Sequence, residues 1–107
     1  MTTPQLEKVY FNYILNNKKY FDIVKSYFFR NYEIQFVYGV IREYMLKGDA
    51  KVPTPRQILD MVNIEDKEAL ITKEILKSIL QVDLKEYDEK NFIEPNFNGW
   101  VLANRLK

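Results

Sequence analysis

Asn31-Tyr32-Glu33-Ile34-Gln35-Phe36-Val37-Tyr38-Gly39-Val40-Ile41-Arg42-Glu43-Tyr44-Met45-Leu46-Lys47 is the stretch whose reading decides the fold. Ile34, Val37, Tyr38, Ile41 and Met45 recur at helical spacing and form one apolar stripe. Phe36, Val40 and Tyr44 lie beside it. Alternation of the kind a half-buried strand needs is missing, so the segment is read as a helix over 31–47. Gly39 inside it costs about 1 kcal/mol relative to Ala, and is read as a close helix–helix approach in preference to a hinge. Gly48 closes the helix.

Working toward the N-terminus, Arg30-Asn31 reads as a break. Before it, Phe21, Val24, Tyr27 and Phe28 give a face to a short helix over 19–29. The first segment runs over 3–16. Thr3 is read as a cap and Pro4 as the first helical residue, where a missing N–H costs nothing. Leu6, Val9, Tyr10, Tyr13 and Ile14 make its stripe, and Phe11 and Leu15 widen it into a largely buried helix. Asn16-Asn17 is expected to end it in the left-handed cap that Asn tolerates.

Toward the C-terminus, Thr54-Pro55-Arg56-Gln57 is the best local signal. Thr54 can cap, Pro55 sits at the first helical position, and Gln57 can bond back as in a capping box. A short helix with Ile58, Leu59 and Val62 inward ends near Asn63. Residues 66–81 read as a fifth helix through Leu70, Ile71, Ile75, Leu76, Ile79 and Leu80, with Thr72 marking a break and a turn near 68–72. Residues 83–91 are polar and read as a loop. Phe97, Trp100, Val101, Leu102 and Leu106 suit a last helix over 96–107, with Pro95 near its start.

The chain is therefore expected to be all-α, a compact bundle of five to six short helices in a single domain over 1–107. Three Gly and four Pro leave few tight turns, which disfavours a sandwich or barrel. A length of 107 residues supports one core without staples. No Cys and no His are present, which removes disulfides, zinc fingers, Cys nucleophiles, His general bases and the Ser-His-Asp triad. No glycine-rich phosphate loop exists. Carboxylates gather at Glu65-Asp66 and Glu68, and at Asp83, Glu86 and Asp88-Glu89, without the spacing of a calcium loop. They read as helix-start and solvated acids. No catalytic residue, metal or cofactor is expected.

Sixteen basic against 15 acidic residues give a net charge of +1, far from the basic footprint of a nucleic-acid binder. Residues 1–53 hold 8 basic and 5 acidic groups, and residues 54–107 hold 8 and 10. That asymmetry reads as surface variation. Twelve aromatics between Tyr10 and Tyr44 interleave with Lys18, Lys19, Lys25 and Arg30. Such mixtures stack single-stranded bases in some proteins, but here most rings fall on helical faces and are expected to fill a core. The surplus of Tyr hints at rings on an interface rim. A small DNA-binding protein using residues 54–81 as a helix-turn-helix is the alternative. Its second helix would begin Asp66-Lys67-Glu68, an acidic start facing phosphate. The N-terminus lacks a signal-peptide apolar run, since Glu7 and Lys8 interrupt it, and no stretch suits a membrane helix. The chain is expected to be intracellular and soluble.

Two stretches together resemble a known family. Leu6-Glu7-Lys8-Val9-Tyr10-Phe11-Asn12-Tyr13-Ile14-Leu15-Asn16-Asn17, then Tyr20-Phe21 and Val24, resembles the opening of the N-terminal domain of DnaB-type replicative helicases. Phe28-Phe29 and Ile34–Arg42 resemble that family's next apolar segment. Lys51-Val52-Pro53-Thr54-Pro55-Arg56-Gln57-Ile58-Leu59 sits where the family places a turn and a short capped helix. The style is similar to that of phage-encoded relatives, and the resemblance covers roughly residues 5–82. The chain departs from the family near the C-terminus, where the family continues into a long helical hairpin. The resemblance implies an all-helical collar domain whose subunits associate and which contacts a primase or a helicase loader. It implies no activity for these residues, because the ATPase motor belongs to another domain, toward which the helix over 96–107 leads. The chain then reads as an excised domain or a small stand-alone relative. A non-catalytic assembly and protein-interaction domain of DNA replication is the functional expectation. Direct nucleic-acid contact is not expected. The candidate interface is the tail face of Phe97, Trp100, Val101, Leu102 and Leu106, since one short helix does not readily bury them all and Trp is enriched at interface hot spots.

Overall fold

A computed structural model describes residues 3–106; Met1, Thr2 and Lys107, the last residue of the expected tail helix, lie outside the described residues. Five α-helices occur among them and no strand: α1 (Thr3–Leu15), α2 (Tyr32–Met45), α3 (Pro55–Glu65), α4 (Lys73–Leu80) and α5 (Glu94–Arg105). The described residues form one body with a Cα radius of gyration of 13.3 Å, the value a packed chain of this length should have. None of the helices is long and apolar enough to cross a membrane.

The α2 stripe is the centre of the core. Ile34, Val37, Tyr38, Ile41 and Met45 are all buried, as their spacing requires. α1 lies against α2 and α4 and is buried at Glu7 and from Val9 to Ile14. Leu6 and Leu15 pack half-buried at its ends. Thr3 stands within α1 rather than before it as its cap. Asn16 and Asn17 do end the helix, but not in the left-handed form. Ala69, at φ 53°, is the one non-glycine residue with positive φ among the described residues. The two side-chain amides instead turn back on the last turn: Asn16 Nδ2 donates to Asn12 O at 2.8 Å, and Asn17 Nδ2 to Tyr13 O at 2.9 Å. Carbonyls left over at the helix end are satisfied either way.

The expected helix over 19–29 is replaced by two short 3₁₀ turns, Lys18–Phe21 and Ser26–Phe28. Three carbonyls of this region are taken by α2 instead of by the chain's own next turn. Arg42 Nε donates to Phe21 O at 2.8 Å, the Tyr38 hydroxyl to Val24 O at 2.7 Å, and Gln35 Nε2 to Phe29 O at 3.0 Å. Phe21, Val24, Phe28 and Phe29 are buried while Tyr27, placed by periodicity on the same face, is 67% exposed. Gly39 does not mark a helix–helix crossing. A Cβ there would meet Ser26 of the second turn at 3.6 Å, an ordinary contact.

Thr54 caps α3 as read, accepting from Gln57 N at 3.2 Å, and the helix continues two residues past Asn63. The helix over 66–81 shortens to α4, because residues 66–72 form a loop that ends at the break read at Thr72. The Asp66 carboxylate accepts from Leu70 N at 3.0 Å and Ile71 N at 2.7 Å, and Thr72 caps α4 through Ile75 N at 3.1 Å. Residues 83–91 are not plain loop. They hold a 3₁₀ turn, Leu84–Glu86, and the start of a π-type turn, Glu89–Ile93, which leads into α5.

One buried carboxylate ties these elements together. Glu7 is 2% exposed, and its Oε2 and Oε1 accept from Arg30 N at 2.7 Å and Asn31 N at 2.9 Å. Glu7→Ala would leave two backbone donors without acceptors where α2 begins. The expected loss is about 2–4 kcal/mol of stability by urea unfolding. Burial also raises the pKa of Tyr10 and Tyr38, and raises that of Tyr13 to about 12, where the neighbouring Tyr20 adds to the shift. The neutral phenols belong to the folded state, and the unfolded chain loses these protons first. Stability is therefore expected to be intact below about pH 10 and to fall as pH rises toward about 12, seen as declining urea midpoints.

Candidate protein-docking surfaces

The expected interface residues of the tail separate into two sets. Phe97, Val101 and Asn104 of α5, with Ile93 just before it, face inward, and all four are buried. Phe97 is 0% exposed, with ring centroids of Tyr20 at 4.9 Å, Tyr13 at 5.0 Å and Tyr10 at 5.8 Å. Trp100 is half-buried, with Tyr10 at 4.8 Å, Phe29 at 5.0 Å and Phe28 at 6.0 Å. Phe97 and Val101 are thus core, and Trp100 is largely committed to it. Leu102 and Leu106 point the other way, at 61% and 79% exposed. The candidate face narrows to these two.

A second surface was not singled out from the sequence. The second stripe of α2, beside the buried one, is only half covered. Phe36, Val40 and Tyr44 form one wall of an open groove of about 560 Å³, and Met61 and Ile64 of α3 form the other. Gly39 and Ser26 also line it. Ile64 is 64% exposed and Tyr32, at one end, 53% exposed. Leu70, 47% exposed, extends the apolar lining beyond Phe36. The sequence did carry the signal. Eight apolar positions between Ile34 and Met45 cover too wide an arc for one neighbour to bury.

Glu43, Glu65, Asp66 and Glu68 line the groove and its extension, against Lys47 and Lys67. The aspartates of the acidic clusters noted in the sequence are engaged in local structure. Asp66 holds its loop, Asp83 accepts from Lys85 N at 2.9 Å, and Asp88 accepts from Asn91 N at 2.9 Å and Asn91 Nδ2 at 3.0 Å. The Asn91 donors hold the Asp88 carboxyl below its ordinary pKa. No group of three or more His, Cys, Asp or Glu able to hold a metal ion occurs among the described residues. The three buried polar side chains all hold the fold. Glu7 binds the start of α2, Asn12 Nδ2 donates to Lys8 O and Ile79 O at 2.8 Å each, and Asn104 Nδ2 donates to Trp100 O at 2.8 Å. Apolar side chains nevertheless stand open to solvent in the groove and on α5.

Comparison with known proteins finds no matching family model, no matching curated protein and no matching solved structure.

Phe97→Ala is expected to cost about 3–5 kcal/mol in urea unfolding, since it empties the centre of a ring cluster. Leu102→Ala and Leu106→Ala, both on exposed positions, are expected to stay within about 0.5 kcal/mol of the parent. A large loss at Leu106 would place that side chain in the core and remove it from the docking surface.

Proposed function

We propose that this chain is a non-catalytic assembly and protein-interaction domain of a phage-like replicative DNA helicase, mediating subunit association and contact with a primase or loader. The observation that carries the reading is the pair of uncovered apolar surfaces, the α2–α3 groove and the Leu102/Leu106 side of α5. Both occur on a fold whose buried polar groups are already committed to structure. Burying such surfaces against protein is favourable at roughly 25 cal/mol per Å² of apolar area, before the costs of association. The helicase assignment rests on the resemblance of residues 5–82 to the collar domain of DnaB-type enzymes. The unwinding activity of such an enzyme belongs to its motor domain and is assigned to none of these residues.

Sedimentation velocity at tens of micromolar tests the reading, with the chain alone and mixed with primase and loader from the same replication system. The expected result is a dimer or larger species, or a partner-dependent shift. A strict monomer that binds neither protein would overturn it. Salt-dependent gel shifts of DNA that are lost on reversing Lys73 and Lys77 would instead favour a DNA-binding role for residues 54–81.

A further inference from the structure

We infer that the two uncovered surfaces are complementary, and that the outer face of α5 from one copy docks into the α2–α3 groove of a second copy. This inference rests on the assembly reading and names the surfaces that would carry it. Gly99, Leu102, Ala103 and Leu106 fall at i, i+3, i+4 and i+7, and all four are exposed. They form an apolar stripe on α5, on the side away from Phe97 and Val101. That is the pattern an amphipathic helix uses to occupy a groove. Gly99 has open space where a Cβ would stand, and Ala103 is small, so a neighbouring chain can approach the helix closely beside the two leucines.

The groove supplies the counterpart. Phe36, Val40 and Tyr44 follow at i, i+4 and i+8, facing Met61 and Ile64. At 1.5 Å per residue the α2 row spans about 12 Å and the α5 stripe about 10 Å, so the two match in length. The charges match as well. Arg105 is exposed beside Leu106 on α5, and carboxylates outnumber lysines around the groove. Glu43 and Glu65 sit on the walls themselves. Lys47 stands at the far end of the α2 row, beyond Tyr44. No residue of α5 lines the groove in its own chain, so one copy offers both a ridge and a free groove. Such a contact is head-to-tail. It leaves a groove open on one copy and a ridge on the other, and grows into a ring where the rotation closes.

The absence of Cys makes the test direct. Ile64→Cys and Leu106→Cys are placed on separate chains at exposed positions, mixed at tens of micromolar and treated with a short bismaleimide. The expected product is a mixed Ile64→Cys/Leu106→Cys dimer, at least about fivefold over a control pairing Leu106→Cys with Lys51→Cys. Arg105→Glu is expected to weaken association about tenfold, and Glu65→Arg on the partner copy to restore most of it. Circular dichroism confirms that each variant is folded. Preferential linking of Leu106→Cys to itself would show a symmetric α5–α5 contact and overturn the inference. So would association that persists in sedimentation with no groove-to-ridge product, while leaving the assembly reading intact. A folded chain that stays monomeric at these concentrations overturns the inference, and it also removes self-association from the assembly reading.

Discussion

The Glu7 carboxylate is the interaction on which the rest of the structure depends. A buried charge is costly unless its oxygens are fully engaged, and here each oxygen receives a backbone N–H from Arg30 or Asn31. Those donors stand where α2 begins, where backbone N–H groups are unpaired and the helix dipole favours negative charge. Asn31 caps the same helix by accepting from Ile34 N at 3.1 Å. Gln35 then satisfies the Phe29 carbonyl. With its donors and acceptors met in this way, the chain at 29–31 can pass close to the core. α1 and α2 are thereby fixed relative to each other before any side-chain packing is considered.

Around that clamp the aromatic residues do the filling. Phe11, Phe21 and Phe29 surround Tyr38, with centroids at 6.2, 5.6 and 4.9 Å. The Tyr38 hydroxyl escapes isolation by bonding Val24 O. A second group joins Tyr10, Tyr13, Tyr20, Phe97 and Trp100, and brings α5 onto α1. The tail is therefore a structural element as well as a surface. One side of α5 completes the core through Phe97, and only the other side is left to solvent.

Where the sequence reads clearly, local chemistry and tertiary packing agree. The stripe of α2 and the Thr54-Pro55 start of α3 are of this kind, whereas α2 ends at Met45 with Leu46 as its cap, before Gly48 is reached. Where they disagree, hydrogen bonds between side chains and backbone won. Residues 19–29 carry a usable helical period, but Arg42, Tyr38 and Gln35 compete for carbonyls of that region, and its aromatic and β-branched residues are weak helix formers. Residues 66–71 carry apolar residues at helical spacing; the break read at Thr72 and the turn near 68–72 are present, and Asp66 extends that turn into a loop by drawing two N–H groups, with Ala69 in the left-handed region. Single-sequence periodicity does not see such partners. The tail face was legible only as apolar excess. Which leucines turn outward depended on how Phe97 met three tyrosines from distant parts of the chain.

The same logic explains why apolar surface stays open on so small a molecule. α2 is a central helix, and α1, the 3₁₀ turns and α3 each cover part of it. Its Phe36–Val40–Tyr44 row meets α3 only along one edge, because the Thr54 cap and the Asp66 loop fix where α3 starts and stops. α5 faces a comparable limit. Its inner side is fully occupied by the ring cluster, so Leu102 and Leu106 gain nothing from the chain's own core. Rotating α5 to bury them would expose Phe97, a larger ring, and break its contacts with Tyr10, Tyr13 and Tyr20. The two surfaces are thus locked outward by interactions stronger than those they could make internally. Groups outside residues 3–106 can cover them without dismantling this packing.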